Sequence, residues 1–216
     1  MKREEKNQQT QRRIMDGALA EFSAKGYGGS SVNAICSSQE ISKGIVYHYF
    51  ETKDALFLAC VEECFTLLTE AIKQRMKEAD AWERQELKPN EFSKRKLEEY
   101  FQSRMDFFEQ FPIYQKIFCE AVITPPEHLR SAIQEKKKSF DILNIQILQH
   151  LLSPLKLRSH ITAEEVIEMF RRFQDFINAD SRNKGSYEGE FEAHEEQCRT
   201  IMDILFYGVI DRKEED

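Results

Sequence analysis

The fold of this chain is decided by residues 40–53, whose sequence is Glu-Ile-Ser-Lys-Gly-Ile-Val-Tyr-His-Tyr-Phe-Glu-Thr-Lys. Ser42 is predicted to cap a helix through its side-chain oxygen, which leaves the backbone N–H donors of the first turn facing outward. Val46 and Phe50 stand four residues apart and therefore share one side of that helix. The lysine and glycine before Val46, and the tyrosine and histidine after it, occupy positions that face away from that side. The segment is predicted to present a rigid polar face to an anionic partner.

The segment just before it predicts a second short helix. Residues 30–38 begin with a serine cap and place apolar side chains at Val32, Ile35 and Cys36. A three-residue connection, residues 39–41, joins the two helices, which is the arrangement of a helix-turn-helix. In that motif the second helix enters the major groove, so the expected partner is double-stranded DNA.

Residues 13–61 resemble the DNA-binding domain of the TetR/AcrR family of transcriptional repressors. The resemblance is carried by Ile14, Ala18, Phe22, Gly26, Tyr27, Ser30, Ser31, Val32, Ile35, Ile41, Ser42, Lys43, Gly44, Val46, Tyr47, His48, Tyr49, Phe50, Lys53 and Leu56. It implies an all-α protein of about nine helices, in which an N-terminal three-helix domain is joined through a long helix 4 to a helical effector-binding and dimerisation domain. The expected boundaries are residues 1–52 and 53–216.

The resemblance also implies which side chains contact DNA. Lys43, Gly44 and Ile45 are expected at base edges, and the remaining positions at phosphates. The full expected set is Ser30, Ser31, Ser42, Lys43, Gly44, Ile45, Tyr47, His48, Tyr49 and Lys53. The competing interpretation is that the three aromatic residues only cover a small helical core.

Two positions depart from the family pattern. Glu40 stands where family members usually place glycine, and a left-handed backbone there would cost about 1 kcal/mol relative to glycine. Ile45 stands where threonine or another small polar residue is more common, so it predicts an apolar base contact, for example to a thymine methyl.

Composition limits the remaining possibilities. The net charge is −7, but residues 1–56 hold eight Lys/Arg and seven Asp/Glu, so the acidic excess belongs to the rest of the chain and DNA binding must be local. No run of about 18 apolar residues occurs, and the N-terminus lacks the apolar core of a signal peptide, so a cytoplasmic protein without a membrane partner is expected. The five cysteines are scattered and are expected to be reduced thiols.

Apolar spacing along the chain predicts the remaining helices. Helix 1 is expected over about residues 10–25, helix 4 over residues 52–77 and a single helix over residues 126–152. The polar segments 78–90 and 180–189 are expected to be connections. Thr162 and Glu165 have the spacing of a capping box at the start of a helix.

The second domain is rich in aromatic residues, most of which are expected to be ordinary core. Together they suggest an apolar, aromatic cavity for a small-molecule effector, with an arginine or a carboxylate fixing its orientation. The candidate effector-binding residues are Tyr100, Arg104, Phe107, Phe108, Tyr114, Phe118, Phe140 and Phe173.

The last two helices offer a second apolar face, at the position where the resembled family dimerises. The candidate dimer residues are Phe170, Phe173, Ile201, Leu205, Phe206 and Val209. A two-fold dimer would place two reading helices one DNA turn apart and therefore predicts a palindromic operator.

Other function classes find little in the sequence. No phosphate loop, nucleophile elbow or His-Glu metal motif is present, so no enzyme, catalytic residue or cofactor is expected. Cys60 and Cys64 stand one helical turn apart, as do His194 and Cys198, but each pair is only half of a metal site, so no metal is expected. An architectural or cell-division DNA-binding protein without an inducer is the alternative to an effector-controlled repressor.

Overall fold

The computed structural model describes residues 2–83, 88–184 and 190–210, and these residues form ten α-helices and one 3₁₀-helix. The helices are α1 (Lys2–Gly29), α2 (Val32–Gln39), α3 (Lys43–Tyr49), α4 (Lys53–Glu83), α5 (Pro89–Gln110), α6 (Pro112–Val122), the 3₁₀-helix (Glu127–Leu129), α7 (Arg130–Lys136), α8 (Lys138–Leu152), α9 (Ala163–Lys184) and α10 (Glu190–Val209). Across the described ranges, extended backbone pairs only at one isolated bridge, between Leu157 and Ile210. The all-α prediction is confirmed.

Several predicted helix bounds were wrong. Helix α1 begins near the N-terminus rather than at residue 10, α4 continues to residue 83, and α9 continues to residue 184. Residues 84–87 and 185–189 of the predicted connections lie outside the described residues. The helix predicted over residues 126–152 is divided at Lys137, whose backbone (φ −90°, ψ 1°) leaves the helical region. This division raises the number of helices above the predicted nine.

The described chain forms two compact units. The first comprises Met1–Leu67 and Phe108–Ser139, and the second comprises Leu68–Phe107 and Phe140–Asp216. Helices α4 and α5 each contribute to both units. The functional boundary at residue 52 stays a prediction.

The first unit is built around helix α1. Ile14, Ala18 and Phe22 recur every four residues on its buried side, as the sequence predicted. Phe22 packs edge-on against Phe57 of α4, with ring centroids 5.1 Å apart. Helix α6 packs closely on α1 in the same unit, and its Phe118 is buried there. The three helices α1, α4 and α6 therefore form one core that supports α2 and α3.

Gly26 interrupts α1 with a left-handed backbone (φ 67°, ψ 172°) that L side chains rarely adopt. A Cβ at this position would also lie 3.2 Å from Oε1 of Glu120. The interruption redirects the chain toward Ser31, which begins α2 by accepting a hydrogen bond from the Ala34 N–H at 3.1 Å. Glycine is therefore required here both by the backbone angle and by the neighbouring carboxylate.

In the second unit, the end of α4 and helices α5, α8, α9 and α10 contribute buried apolar side chains. Phe101, Leu148, Leu151, Ile177 and Met202 are among them. The start of α9 has the predicted capping box, because the Thr162 N–H donates to Oε2 of Glu165 at 2.9 Å and the Glu165 N–H donates back to Oγ1 of Thr162 at 3.2 Å.

Candidate nucleic-acid interface and buried polar cluster

Helix α3 has a buried side and an exposed side. Val46 is 1% exposed and Phe50 is also buried, whereas Ile45 is 43% and Tyr47 39% exposed. Lys43 is exposed as well, with its Nζ 5.7 Å from the centroid of the Tyr47 ring. The two predicted anchors are therefore confirmed. A pure core helix would not turn a large aliphatic side chain and a phenol outward together.

The turn between α2 and α3 is left-handed at Glu40 (φ 53°, ψ 41°). Its N–H bonds to the carbonyls of Cys36 and Ser37, and the next N–H, of Ile41, donates to Cys36 O at 3.0 Å. Ile41 is buried beneath the turn. A glutamate therefore occupies a conformation that favours glycine, at a cost of about 1 kcal/mol.

The predicted side-chain cap at Ser42 is not formed. Ser42 stands at the N-cap position with an extended backbone (φ −69°, ψ 148°), but its hydroxyl makes no capping bond. Its carbonyl accepts from the N–H groups of Ile45 at 3.0 Å and Val46 at 3.2 Å. The first turn of α3 is therefore closed by the backbone of Ser42 and not by its side chain, which is exposed.

Two of the expected phosphate-binding residues also hold the motif together. Ser30 is buried, and its hydroxyl donates to Tyr27 O at 3.0 Å. Nζ of Lys53, at the start of α4, donates to Ser30 O at 2.8 Å and lies 4.4 Å from the centroid of the Tyr27 ring. These contacts fix the start of α2 against the start of α4. Ser31, in contrast, is exposed.

The end of α3 is tied to the N-terminal turns of α1. Tyr49 is half-buried, and its hydroxyl donates to Oδ1 of Asn7 at 3.2 Å. The ring of exposed His48 lies edge-on to that of Tyr49, with centroids 5.3 Å apart. Asn7 precedes the predicted start of helix 1, so nothing in the sequence pattern marks it as a contact of α3.

Two carboxylates brace α1 from inside the first unit. Glu63 of α4 accepts from Nη1 of Arg12 at 2.7 Å and from the hydroxyl of Tyr114 on α6. Buried Glu120 of α6 accepts from the Tyr27 N–H at 2.6 Å, directly after the interruption in α1. Burial raises the pKa of Glu120 above its ordinary value, although the Tyr27 N–H and Lys53 act in the opposite direction.

The second unit contains a buried polar cluster around Arg104, which is 3% exposed. Nη2 of Arg104 donates to Oε1 of Glu195 at 2.6 Å, and Nη1 donates to the Tyr100 hydroxyl at 2.8 Å. The Tyr100 hydroxyl donates onward to Oδ1 of Asn144 at 2.9 Å. The guanidinium also lies 5.5 Å from the ring centroids of Tyr100 and Phe140. Burial alone would lower the pKa of Arg104, but the charge of Glu195 keeps it above its ordinary value.

The cluster continues onto α9 and α10. Nδ1 of His194 is 3.3 Å from Oε1 of Glu195, and Nε2 is 2.8 Å from Oδ1 of Asn178. Oε2 of Glu195 is buried and has no hydrogen-bond partner among the described residues. Sequence reasoning had selected Tyr100, Arg104 and Phe140, and the structure brings these three together. The sequence did not indicate the four polar residues that complete the cluster, because they come from three different helices. These residues are Asn144, Asn178, His194 and Glu195.

The other candidate effector-binding residues lie elsewhere. Phe108, Tyr114 and Phe118 belong to the first unit, where the rings of Phe108 and Phe118 are 5.1 Å apart. Phe107 is buried in the second unit, and Phe173 is half-buried there.

The cysteines are free thiols. Burial raises the pKa of Cys198 to about 12, and it also raises the pKa values of Cys60 and Cys64 above their ordinary value. Cys36 is the one half-exposed cysteine. No group of three metal-ligating side chains occurs in the part of the chain that the structure describes.

The exposed apolar side chains of α9 and α10 differ in part from the predicted dimer residues. Phe206 and Val209 are buried within the chain, while Phe170, Ile201 and Leu205 are half-buried. The most exposed members are Phe176 (65%), Ile204 (63%) and Met169 (45%). Beside Met169 lies an open groove of about 600 Å³, whose lining includes Leu205, Val209 and Arg172.

None of the described helices is both long enough and apolar enough to span a bilayer.

The N-terminal part of the chain is similar in sequence to known regulatory proteins. Residues 14–60 match the model of bacterial regulatory proteins of the tetR family. Over 53 residues the chain is 36% identical to the biofilm operon icaADBC HTH-type negative transcriptional regulator IcaR of Staphylococcus epidermidis, covering 24% of this chain and 29% of that protein. Over 60 residues it is 35% identical to IcaR of Staphylococcus aureus strain Newman, covering 28% of this chain and 32% of that protein. The chain therefore spans about three tenths of the length of the curated relatives it matches.

Solved structures resemble most of the chain. The transcriptional regulator FadR from Bacillus subtilis, in complex with stearoyl-CoA, has a TM-score of 0.60 at 16% identity, covering 91% of this chain and 98% of that chain. FadR from Bacillus halodurans has a TM-score of 0.61 at 15% identity, again covering 91% and 98%. At this level of identity the likeness concerns the fold.

Proposed function

We propose that this chain, which belongs to the tetR family of bacterial regulatory proteins, is a transcriptional repressor that binds a palindromic operator as a dimer and is released by a small hydrophobic or aromatic effector. The observation that carries the proposal is the division of α3 into a buried side, Val46 and Phe50, and an exposed side that includes Lys43, Ile45 and Tyr47. Its action on chromosomal DNA would take place in the cytoplasm.

Each exposed group of α3 has a distinct role in the proposed complex. Lys43, Gly44 and Ile45, in the first turn, approach base edges in the major groove, with the Ile45 side chain suited to a thymine methyl. Tyr47 and His48 bind phosphate oxygens, as do Ser31, Ser42, Tyr49 and Lys53 around the edge of the face. Ser30, whose hydroxyl is buried and donates to Tyr27 O, only positions the start of α2. Phosphate contacts set the position of the helix, and base contacts set the sequence that it prefers.

Selecting bound duplexes from random sequence, followed by gel-shift titration of the recovered site, tests this assignment. Lys43→Ala and Tyr47→Phe should each weaken binding by about 1 to 3 kcal/mol, because each removes one direct contact. Both side chains are exposed, so the circular dichroism of the variants should match that of the wild-type protein. Lys116 on α6 is also exposed, so Lys116→Ala is the matched control and should bind normally. Unchanged affinity in both α3 variants would reject the assignment.

Dimerisation is proposed through the exposed apolar side chains of α9 and α10. Phe176 and Ile204 are both more than half exposed, and leaving such large apolar side chains uncovered in a monomer would lower its solubility. A two-fold dimer would hold two copies of α3 about 34 to 36 Å apart, which requires a palindromic site. Ile204→Glu should yield a monomer in light scattering and abolish cooperative binding to the selected duplex. A wild-type monomer, in solution and on DNA, contradicts this part of the proposal.

The effector is proposed to bind in the second unit, near Tyr100, Arg104 and Phe140. Aromatic rings lie there beside a buried polar cluster, with the Arg104 guanidinium 5.5 Å from two ring centroids, which is the mixture of apolar and polar groups that ligand sites combine. Hundredfold loss of operator affinity requires about 2.7 kcal/mol of difference in ligand affinity between the DNA-bound and released states. A thermal-shift screen of aromatic and lipid-like compounds, including stearoyl-CoA because FadR was solved with it, should identify a stabilising ligand that also releases DNA. Failure of every class in both assays counts against effector control and favours an architectural DNA-binding protein.

A further inference from the structure

We infer that the N-terminal turns of α1 form a second DNA-binding surface, the basic stripe, consisting of Lys6, Gln9, Thr10 and Arg13. It would bind phosphates of double-stranded DNA beside the groove that α3 enters. The inference rests on the proposed function of α3 but concerns residues that neither the predicted set nor the motif comparison places on DNA.

Helical register separates the charges of this segment. At about 100° per residue, Gln9, Thr10 and Arg13 lie within about 60° of Lys6 around the helix axis. Glu4 and Glu5 lie about 160° and 100° away from Lys6 by the same count. Lys6, Gln9 and Arg13 are exposed, as are both glutamates. Lys6 and Arg13 therefore share one side of the helix, and neither glutamate lies on that side.

Two contacts place the stripe beside the reading helix. Asn7, next to Lys6, accepts from the Tyr49 hydroxyl at the end of α3 at 3.2 Å. Arg13 donates through Nη2 to Gln39 O, at the end of α2 and one residue before the left-handed turn. One end of the stripe therefore lies next to a residue that contacts the end of α3, and the other end contacts the end of α2, within the same compact unit.

The neighbouring cation on α1 has a different role. Arg12 is held by Glu63 at 2.7 Å and by Asp16 at 2.7 Å, so its charge is neutralised within the protein. On a surface helix that only faces solvent, cations and acids are normally interspersed along the whole length, so that each cation has an acid nearby. The stripe departs from that pattern, and exposed cations grouped on one face are the usual means of contacting phosphates.

The test uses binding to a mixed-sequence duplex of about three helical turns, measured by fluorescence anisotropy over a series of salt concentrations. Each cation–phosphate contact contributes about 0.9 to the slope of log affinity against log salt, which corresponds to about eightfold at about 0.1 M salt. Lys6→Gln should therefore lower the slope by about 0.9, and the affinity by about eightfold, for each protomer bound. The Lys6 side chain is exposed, so its replacement should leave folding unaffected.

A matched pair of variants separates a directed contact from a change in net charge. Gln9→Lys adds a cation on the stripe, whereas Gln8→Lys adds the same cation about 160° away from Lys6. Gln9→Lys should steepen the slope and tighten binding, and Gln8→Lys should leave the slope unchanged. Equal effects of the two substitutions, or an unchanged slope in Lys6→Gln, would overturn the inference while α3 still bound DNA. Failure of the wild-type protein to bind any duplex would overturn the proposed function as well.

Discussion

Replacing Arg104 by methionine should destabilise the protein severely, although the new side chain is apolar and similar in length. Arg104 and Glu195 are almost fully buried, and Nη2 of Arg104 lies 2.6 Å from Oε1 of Glu195. The substitution would leave the carboxylate of Glu195 buried without its cation, which typically costs about 3 to 5 kcal/mol. For a chain of this size that corresponds to a fall in melting temperature of about 6 to 20 °C.

The double variant Arg104→Met/Glu195→Leu sharpens the test, because it removes both charges together. Replacement of a buried ion pair by apolar side chains is often neutral or stabilising by about 1 to 4 kcal/mol. The double variant should therefore melt well above Arg104→Met, and the difference measures the coupling between the two residues. The hydroxyl of Tyr100 also loses its donor from Nη1, so complete recovery is not expected.

An exposed ion pair provides the control. Arg75 and Glu99 lie 2.6 Å apart, but the Arg75 side chain is 40% exposed. Arg75→Met should cost less than about 1 kcal/mol, because solvent screens a surface pair. Thermal and guanidinium unfolding of the three variants, followed by circular dichroism, decides the matter. Comparable losses in Arg75→Met and Arg104→Met, or additive losses in the double variant, would refute the assignment of a buried, mutually dependent pair.

Three further outcomes are expected. Glu40→Gly should raise the free energy of unfolding by about 1 kcal/mol by relieving the left-handed strain; a lower melting temperature would show that the glutamate is favourable there. Glu120→Gln keeps an acceptor for the Tyr27 N–H. In the wild-type protein the pKa of Glu120 is raised, so the stability that Glu120 contributes is fully present below about pH 4.5 and is lost as pH rises through the folded-state pKa. The variant should therefore gain stability relative to wild type as pH rises above about 4.5, the ordinary pKa of a glutamate. Melting temperatures measured over a range of pH would show this gain, whereas a constant difference would exclude the effect. Cys36, the half-exposed thiol, should be alkylated first in the native protein while buried Cys60 resists until unfolding, as mass spectrometry of timed samples can establish.

The motif itself could be predicted from sequence because its determinants are local. The anchors Val46 and Phe50 lie four residues apart, and the left-handed turn at Glu40 follows from its place between two short helices. The predicted capping bond of Ser42 was wrong because a serine indicates only a preference for the N-cap position, not that its hydroxyl will make the bond. Whether the hydroxyl turns inward depends on the rotamer, which the sequence does not specify.

The errors in helix bounds have a similar origin. The division at Lys137 carries neither glycine nor proline, so no residue type marks it. Apolar spacing continues on both sides of the division, from Ile133 through Phe140 and Leu143. Periodicity therefore indicated the buried face correctly but could not locate the place where the backbone changes direction.

The buried polar cluster was beyond reach for another reason. Arg104 and Glu195 are 91 positions apart in sequence, and Asn144 and Asn178 come from two further helices. Each of these residues is of a type that usually lies on the solvated surface. Only the packing of the second unit turns them into one buried network, and a single sequence gives no pairing information of that kind.

The exposed face of α3 depends on this kind of long-range support. A helix of seven residues is too short to be stable alone in water, since isolated helices below about 12 to 15 residues are marginal. Its geometry is fixed instead by contacts from α1, namely Asn7 on Tyr49 and Arg13 on the preceding turn. Helix α1 is in turn held by Glu63 and Glu120. Because α3 has so little stability of its own, the proposed affinity for DNA must also depend on Glu63 and Glu120, which contact α1 rather than α3. A change at either carboxylate can therefore alter binding without removing a contact to DNA.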